Sequence, residues 1–463
     1  MLTDMIIFGA GKLAESLYEI ASFMGYQIVV FVDNDEGKWG KRIKGIEVVS
    51  PEHLRNYSCK IVAPDQFFDV ISLQLKKMDY SGTVVRRSEL YAEILTHEYN
   101  REQFRKPDIN RHLTYVIDSY FRQSCWGGAE SWSCFVNNAL VKKNCKTFFM
   151  CGNNERFDNV VDDCVHYRED NQFEVMKKMI DDIIGNLPCV IFSIASIAIQ
   201  AALIVKKLYP EQIKIVMVIH SDTERIYKNV SNMIEGIDKV ICISKKIEET
   251  CIRSYGIPAD KLLYHVNPIL LAQKQPRKEN MQGRLRVGFA ARLTKLAKRT
   301  HLLPQVVDEC FRRGLDVEFH IAGEGECLEQ LQAYVEQNHL EEKVHLEGWV
   351  PPMSMIDFWR HQDIYISISD YEGMSLTMLE AMAYGAFPVV TEVSGVVDVV
   401  TDGKNGLIIP VEKWLECVDK IAVLDADREL LTQGSRYNID CIREKCDAEK
   451  YADWLIDTFQ MEG

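Results

Sequence analysis

The stretch DYEGMSLTMLEAMAYG, residues 370–385, follows the apolar run DIYISIS and places acids at Glu372 and Glu380. Residues 364–369 read as a buried strand, and residues 376–384 as a helix stopped by Gly385. The turn between them lies at the carboxyl end of a strand and opens a helix. One acid stands in that turn, and the other is expected two turns inside the helix. Backbone N–H groups of Met374, Ser375 and Leu376 should be free there, and the helix dipole favours an anion. Gly373 lets the chain turn tightly and lets a ligand come close.

The two acids are eight positions apart, about 12 Å of helical rise. That length is comparable to a nucleoside diphosphate sugar measured from hexose to ribose. A carboxylate offers two acceptor oxygens and so suits a vicinal diol. One acid can then hold sugar hydroxyls, the other ribose hydroxyls, with the diphosphate near the amides between them. The plainer alternative is that Glu372 caps the helix and Glu380 is solvated.

Outward from this stretch, strand, turn and helix alternate in three successive units, the pattern of parallel sheets covered by helices. The first unit spans residues 1–99 and is followed by a polar, linker-like stretch at 98–112. The second, 113–268, carries strand patterns at KTFFMC, CVHYR, CVIFSI, KIVMVIH, KVICIS and LLYHV. After a polar hinge, the third runs from 285 to 435. The fold class is α/β: two facing Rossmann-like domains with a central cleft, preceded by a small Rossmann-like domain. In open parallel sheets ligands bind outside the carboxyl ends of the strands, here in that cleft.

An apolar fraction of 47% and a net charge of −14 describe an ordinary globular chain and argue against an extended polyanion-binding surface, so no nucleic-acid partner is expected. The fourteen cysteines show no C-x-x-C pair, which fits reduced thiols in the cytoplasm and offers no clustered zinc site. The N-terminus lacks the basic region and the apolar length of a signal peptide. Residues 188–207 are the most membrane-like stretch. Ser193, Ser196 and Gln200 interrupt it, so it reads as a buried strand followed by a core helix.

Residues 292–410 resemble the donor-binding domain of glycosyltransferase family 4, the retaining GT-B enzymes. The resemblance rests on the E-x7-E of Glu372 and Glu380, on DIYISISDYEG before it, and on EAMAYGAFPVVTEVSGVVDVVTDGKNGLIIP. HIAGEGECLEQL (320–331) and VHLEGWVP (344–351) also stand where such enzymes have them. It implies Glu372 near the donor sugar, Glu380 at the ribose, and a C-terminal helix at 436–463 crossing back to the second unit.

A donor diphosphate also needs cations. In FAARLTKLAKRTHLL, Arg292 ends a strand and Lys298 opens the next segment. The family usually spaces Arg and Lys five apart after a glycine; here they are six apart and Ala291 replaces that glycine. An inserted residue restores the match to Lys298, and Lys295 and Arg299 remain competing candidates beside a merely solvated basic turn. In CWGGAESW, Gly127 and Gly128 open a helix after a strand and could bring amides to a phosphate or an acceptor. Family members resemble this loop, with Glu130 in the helix. His220 ends the strand KIVMVIH, and the resemblance puts it near the donor sugar; as a lone histidine it could equally cap a strand end. Lys245 and Lys246 resemble the family's S-K-x stretch, or form a helix surface.

In the first unit, Gly9, Gly11 and Ala14 form G-x-G-x-x-A, with Asp33 about 20 residues on, where a ribose-binding acid would sit in a dinucleotide site. The unit is short for one. It also resembles the small domain preceding some bacterial sugar acyltransferases. A structural or docking role is favoured over binding of NAD or a nucleotide sugar.

The resemblance implies a metal-independent transferase of the hexosyltransferase type. Its catalytic residues would be Glu372, His220, Arg292 and Lys298, its co-substrate a nucleoside diphosphate sugar, and it would need no other cofactor and no metal. Its setting would be surface polysaccharide or glycoconjugate assembly, cytoplasmic or peripheral at the inner membrane face. The acceptor would be a glycan, a lipid-linked glycan or a protein. Basic residues Arg101, Arg105, Lys106, Arg111, Lys142, Lys143 and Lys146 could meet anionic lipid, or be a solvated linker and helix end. The alternatives are a catalytically silent subunit of another transferase, and an NAD-dependent oxidoreductase built on the first unit.

Overall fold

The computed structural model describes residues 3–11, 14–101, 112–119, 126–152, 160–167, 171–194, 197–271 and 283–460. The chain forms two compact units.

One unit comprises residues 1–109, 168–185 and 200–211. Its sheet runs in the order Arg42–Ile43, Ile46–Val49, Tyr26–Val32, Thr3–Phe8, Lys60–Ala63, Val84–Arg86. All neighbours are parallel except the short antiparallel pair Arg42–Ile43 and Ile46–Val49. Ile6, Phe8, Val30, Val32 and Ile61 build its core. Residues 98–101 are the end of the helix Arg87–Arg101, not the linker expected there. Leu90, Tyr91, Ile94, Leu95 and Tyr99 recur at helical spacing and are buried, so the amphipathic face carries the helix onward. Tyr99 donates to Asp181 (2.6 Å), Lys177 pairs with Glu98 (2.7 Å), and the rings of Tyr91 and Phe173 meet edge to face (5.4 Å). These contacts draw the helix Gln172–Gly185 into a unit expected to end at residue 99. Arg105, Lys106 and Arg111 lie outside the described residues.

The other unit contains two sheets, both parallel throughout. The first has seven strands, in the order Leu262–Tyr264, Lys239–Cys242, Ile213–Ile219, Cys189–Ser193, Thr114–Asp118, Lys146–Cys151, Cys164–His166. The second has six: Val344–Gly348, Val317–Ala322, Leu285–Ala290, Ile364–Ser367, Phe387–Thr391, Leu407–Ile409. Central strands are apolar on both faces, as helices on either side require: Cys189–Ser193 and Ile364–Ser367 are buried at every residue. The membrane-like stretch becomes that first strand and the helix Ile197–Leu208. No helix among the described residues is long and apolar enough to cross a membrane.

The chain ends in the helices Arg428–Lys445 and Ala448–Thr458. The last one packs on the helix Gly128–Lys142, with Tyr451 edge-on to Trp132 (6.2 Å between ring centres). Lys142 pairs with Glu449 (3.1 Å) and Lys143 with Asp453 (2.7 Å). Both lysines thus take part in ion pairs within the chain, at the end of their helix. The architecture is α/β of the GT-B kind: two parallel Rossmann-like sheets in the larger unit, with a further small sheet in the N-terminal unit.

Candidate active site

Parallel strands in both sheets of the larger unit deliver their carboxyl ends to a common seam, and the expected site residues follow those ends. Ser369 and Glu372 follow the strand Ile364–Ser367, and Arg292 follows Leu285–Ala290. His220 follows Ile213–Ile219, and Gly127 opens the helix Gly128–Lys142.

The helix after the acidic turn is Leu376–Ala383, and Ser375 caps it by accepting from the Met378 amide. Glu372 therefore does not cap the helix. Its carboxylate receives Lys298 Nζ in a short ion pair and the Ser369 hydroxyl at 2.9 Å. The Lys298 and Glu372 side chains are 20% and 12% exposed, so the pair sits in a partly desolvated crevice where charge interactions are stronger than at an open surface. Ser369 is itself braced, its carbonyl accepting from Thr391 (2.7 Å) and its hydroxyl bonded to that of Ser367 (3.0 Å). The amides of Met374, Ser375 and Leu376 have no hydrogen-bond partner among the described residues.

Glu380 is the fifth residue of the helix, one turn inside it rather than two. Helical rise therefore separates it from Leu376 by only about 6 Å, and the remaining distance to Glu372 is irregular turn. Glu380 is buried, not solvated, and lines a small pocket with Phe135, Leu270, Pro352, Met355 and Tyr384. Burial pushes its carboxyl up to about 8, a rise that the Trp359 indole partly offsets.

The three basic candidates have different partners. Lys298 holds Glu372. Arg299 pairs with Asp370 and donates to the Val411 carbonyl (2.7 Å), tying the basic turn to its own domain. The Lys295 side chain is exposed, and its backbone amide donates to Glu326 (2.8 Å). Arg292 reaches across the seam: a β-carbon on Gly127 would stand 2.9 Å from Arg292 Nη2 and 3.2 Å from Glu130 Oε2. Gly128 is close to Leu376, the first residue of the helix carrying Glu380.

His220 does not act as a strand cap. Both ring nitrogens are buried without a hydrogen-bond partner, and the ring meets Trp132 edge to face at 5.2 Å. Burial alone drives the imidazole down to about 3, so the ring is neutral at physiological pH. The His220 carbonyl packs on Gly373, and the neighbouring seam is closed by hydrogen bonds. Ser244 meets Ser394 (2.7 Å), Asn267 donates to the Met374 carbonyl (3.3 Å), and Asp398 accepts from the Lys245 amide (2.9 Å) and the Tyr264 hydroxyl (3.2 Å). Lys246 turns away to Asp222 (3.2 Å). Ser369, Asp398 and the capping hydroxyl of Ser375 escaped sequence reasoning because serine and aspartate at such positions look like ordinary turn residues.

In the N-terminal unit Gly9 has a left-handed φ of 109°, and the Ala10 amide donates to Asp33 (2.7 Å). Asp33 also accepts from the Asp35 amide (2.9 Å) and Lys38 (2.9 Å). Burial by itself would raise the Asp33 carboxyl, but these amides and the ammonium hold it below its usual range. The acid expected at a ribose is thus engaged by its own loop. Lys12 and Leu13 of the glycine turn lie outside the described residues.

One feature of the seven-stranded sheet corrects the expectation of no clustered cysteines. Cys151, Cys164 and His166 bring their side-chain donors together at the ends of adjacent strands. The sequence hides them because twelve residues separate the two cysteines, and pairing of parallel strands closes that gap.

Residues 272–439 match the family model described as Glycosyl transferases group 1, and residues 1–85 match the model C2185-like, N-terminal. The chain is 31% identical over 173 residues to a poly(ribitol-phosphate) alpha-N-acetylglucosaminyltransferase of Staphylococcus aureus, covering 36% of this chain and 34% of that one. It is 30% identical over 174 residues to the O-antigen biosynthesis glycosyltransferase WbnH of Escherichia coli, covering 37% and 46%. These matches span between a third and a half of the length of those curated relatives. Among solved structures, Anabaena HepE in complex with UDP and glucose superposes with a TM-score of 0.63 at 14% identity, over 74% of this chain and 98% of that one. The likeness in fold takes in most of the chain, while the group 1 glycosyl transferase match covers the segment bearing Arg292, Lys298, Glu372 and Glu380.

Proposed function

We propose that this protein is a retaining glycosyltransferase that moves a sugar from a nucleoside diphosphate donor to an acceptor hydroxyl in surface polysaccharide or glycoconjugate assembly. The observation that carries the reading is the crevice in which Glu372, braced by Lys298 and Ser369, follows one sheet while the neutral His220 ring follows the other. The glycosyltransferase relatives and the UDP-bound HepE structure support the donor class.

In this reading Glu380 accepts from the ribose diol. Its buried carboxyl, protonated in the free protein, ionises when hydroxyl donors arrive. The unpartnered amides of Met374, Ser375 and Leu376 face the diphosphate, and Arg292 and Lys298 supply cationic charge. Lys298 must exchange its carboxylate partner for phosphate, which frees Glu372 for the sugar hydroxyls. Charge develops as the glycosidic bond breaks, positive at the anomeric carbon and negative on the diphosphate. Cations and amides fixed in advance stabilise that separation. The acceptor attacks from the face the diphosphate leaves, and its proton passes to a diphosphate oxygen. The polar groups already in the crevice make a divalent metal unnecessary in this scheme. The family resemblance favours a hexose donor and a protein working in the cytoplasm or at the inner membrane face.

The test is release of UDP from UDP-glucose, UDP-N-acetylglucosamine and UDP-galactose by the full chain, with and without glycan acceptors and chelator, and anomeric configuration read by NMR. Release that Glu372→Gln abolishes supports the reading. No release from any nucleotide sugar, or release unchanged by Glu372→Gln, sinks it.

A further inference from the structure

The geometry points to a second site in the seven-stranded sheet: a soft divalent cation, zinc by the chemistry of its donors, held by Cys151, Cys164 and His166. The strands Lys146–Cys151 and Cys164–His166 are parallel neighbours, with Cys151 opposite His166 and Phe149 opposite Cys164. This register puts two sulfurs and an imidazole in one corner at the end of the sheet. Cys151 is buried, and Cys164 and His166 are half-buried.

The three donor atoms lie close enough together to share one cation after small side-chain rotations. His166 Nδ1 lies 3.3 Å from the Gly152 carbonyl and 3.1 Å from Cys151 Sγ. Its Nε2 lies 3.9 Å from the same sulfur. With Zn–S near 2.3 Å and Zn–N near 2.1 Å, a tetrahedral ion sets sulfur and nitrogen about 3.6 Å apart. Nδ1 is the ring nitrogen on the side of the sulfur, and the half-ångström between 3.1 Å and about 3.6 Å is within reach of a small side-chain rotation, so Nδ1 is the atom placed to ligate. The two sulfurs are 2.7 Å apart. Tetrahedral ligation at those bond lengths needs them to part by about 1 Å, within reach of a side-chain rotation. Two thiolates and a neutral imidazole cancel the charge of a divalent ion. Sulfur donors also select zinc over magnesium or calcium, which prefer oxygen.

The other imidazole-bearing cluster of this unit is an ion-pair network. Its His320 bridges Glu318 (3.4 Å) and Glu347 (3.0 Å), and Glu318 is already neutralised by Arg286 (2.8 Å). At Cys151 a cation would have a structural task. It would fasten the three-residue edge strand Cys164–His166 to its neighbour, where the chain between them emerges at the ligand-binding end of the sheet.

The full chain, stripped with chelator under reducing conditions, is titrated with cobalt(II) and then with zinc. The expected result is one equivalent bound, with a near-ultraviolet thiolate-to-cobalt charge-transfer band, tetrahedral visible bands, and displacement of cobalt by zinc. Cys151→Ser and Cys164→Ser should each weaken the charge-transfer band and the double variant should lose it, and His166→Ala should bind cobalt at least about tenfold more weakly, each keeping the wild-type far-ultraviolet circular dichroism. In the unmutated chain, zinc should also protect Cys151 and Cys164 from alkylation, a readout that does not depend on a variant folding. Equal alkylation with and without zinc, a cobalt spectrum unchanged in the Cys151→Ser, Cys164→Ser double variant, or a Cys151–Cys164 disulfide mapped in the unreduced chain would each overturn the site.

Discussion

The carbonyl oxygen of His220 occupies the space that a β-carbon on residue 373 would need, so only glycine fits where the acidic turn of one sheet meets the strand end of the other. Ile243 crowds the same point at 2.9 Å. Backbone meets backbone here, and neither side can swing aside as a flexible side chain could. Gly373→Ala is therefore expected to destabilise the protein by about 1–3 kcal/mol and to weaken nucleoside diphosphate binding by forcing the seam open. Thermal unfolding and a UDP titration on the same sample check it. A variant with wild-type melting and wild-type affinity would show that the seam yields without cost.

The Lys298–Glu372 pair should separate stability from turnover. Glu372→Gln keeps the side-chain shape and its bond from Ser369, so the fold should hold while turnover drops by about a hundred- to a thousandfold. Lys298→Ala leaves a partly buried carboxylate without its cation. Because the crevice is not fully dry, the cost is expected at about 1–3 kcal/mol, below that of breaking a deeply buried pair. Adding Glu372→Gln to Lys298→Ala should recover much of that loss. Chemical denaturation of the two single variants and the double variant measures the coupling directly.

Glu380 makes stability depend on pH with a definite sign. Its folded carboxyl is raised to about 8 from an ordinary value of 4.5, because burial disfavours the charged form. Between those values the folded state holds a proton that the unfolded state has released, so stability falls as pH rises from about 4.5 to 8, by at most about 1.4 kcal/mol per unit. Glu380→Gln should flatten that slope and be more stabilising at pH 8 than at pH 5. Nucleoside diphosphate affinity should move the opposite way, rising with pH in the wild type and not in the variant. Unfolding free energies at several pH values, with UDP titrations alongside, test both signs.

The strand–turn–helix around Glu372 was legible because a buried run, a glycine and an apolar helix face follow one another directly between residues 364 and 383. Four things were not legible. The helix begins at Leu376 as read, which puts Glu380 one turn inside it rather than two, but the Ser375 hydroxyl as its cap was not visible in the sequence. The choice among Lys295, Lys298 and Arg299 depends on Asp370 and Val411 claiming Arg299, a long-range fact invisible in a basic hexapeptide. Cys151 meets Cys164 only through parallel pairing across a connection of twelve residues. Likewise Gln172–Gly185 joins the N-terminal unit through Phe173, Lys177 and Asp181, whose partners lie some eighty positions away.

His220 supplies a test that needs no variant at the outset. Burial holds its imidazole down to about 3, and its two ring nitrogens have no protein partner. It should therefore stay neutral from pH 5 to 9 and serve a sugar hydroxyl as a hydrogen-bonding group rather than as a proton shuttle. The pH dependence of turnover should show no inflection near 6.5 that His220→Asn removes, while His220→Asn should lower turnover at every pH by about the same factor. His220→Phe fills the space against Trp132 without offering a hydrogen bond, so it separates packing from recognition. Folding like the wild type with turnover as low as that of His220→Ala would assign the ring to substrate contact. Wild-type turnover in His220→Phe would leave it only a packing role.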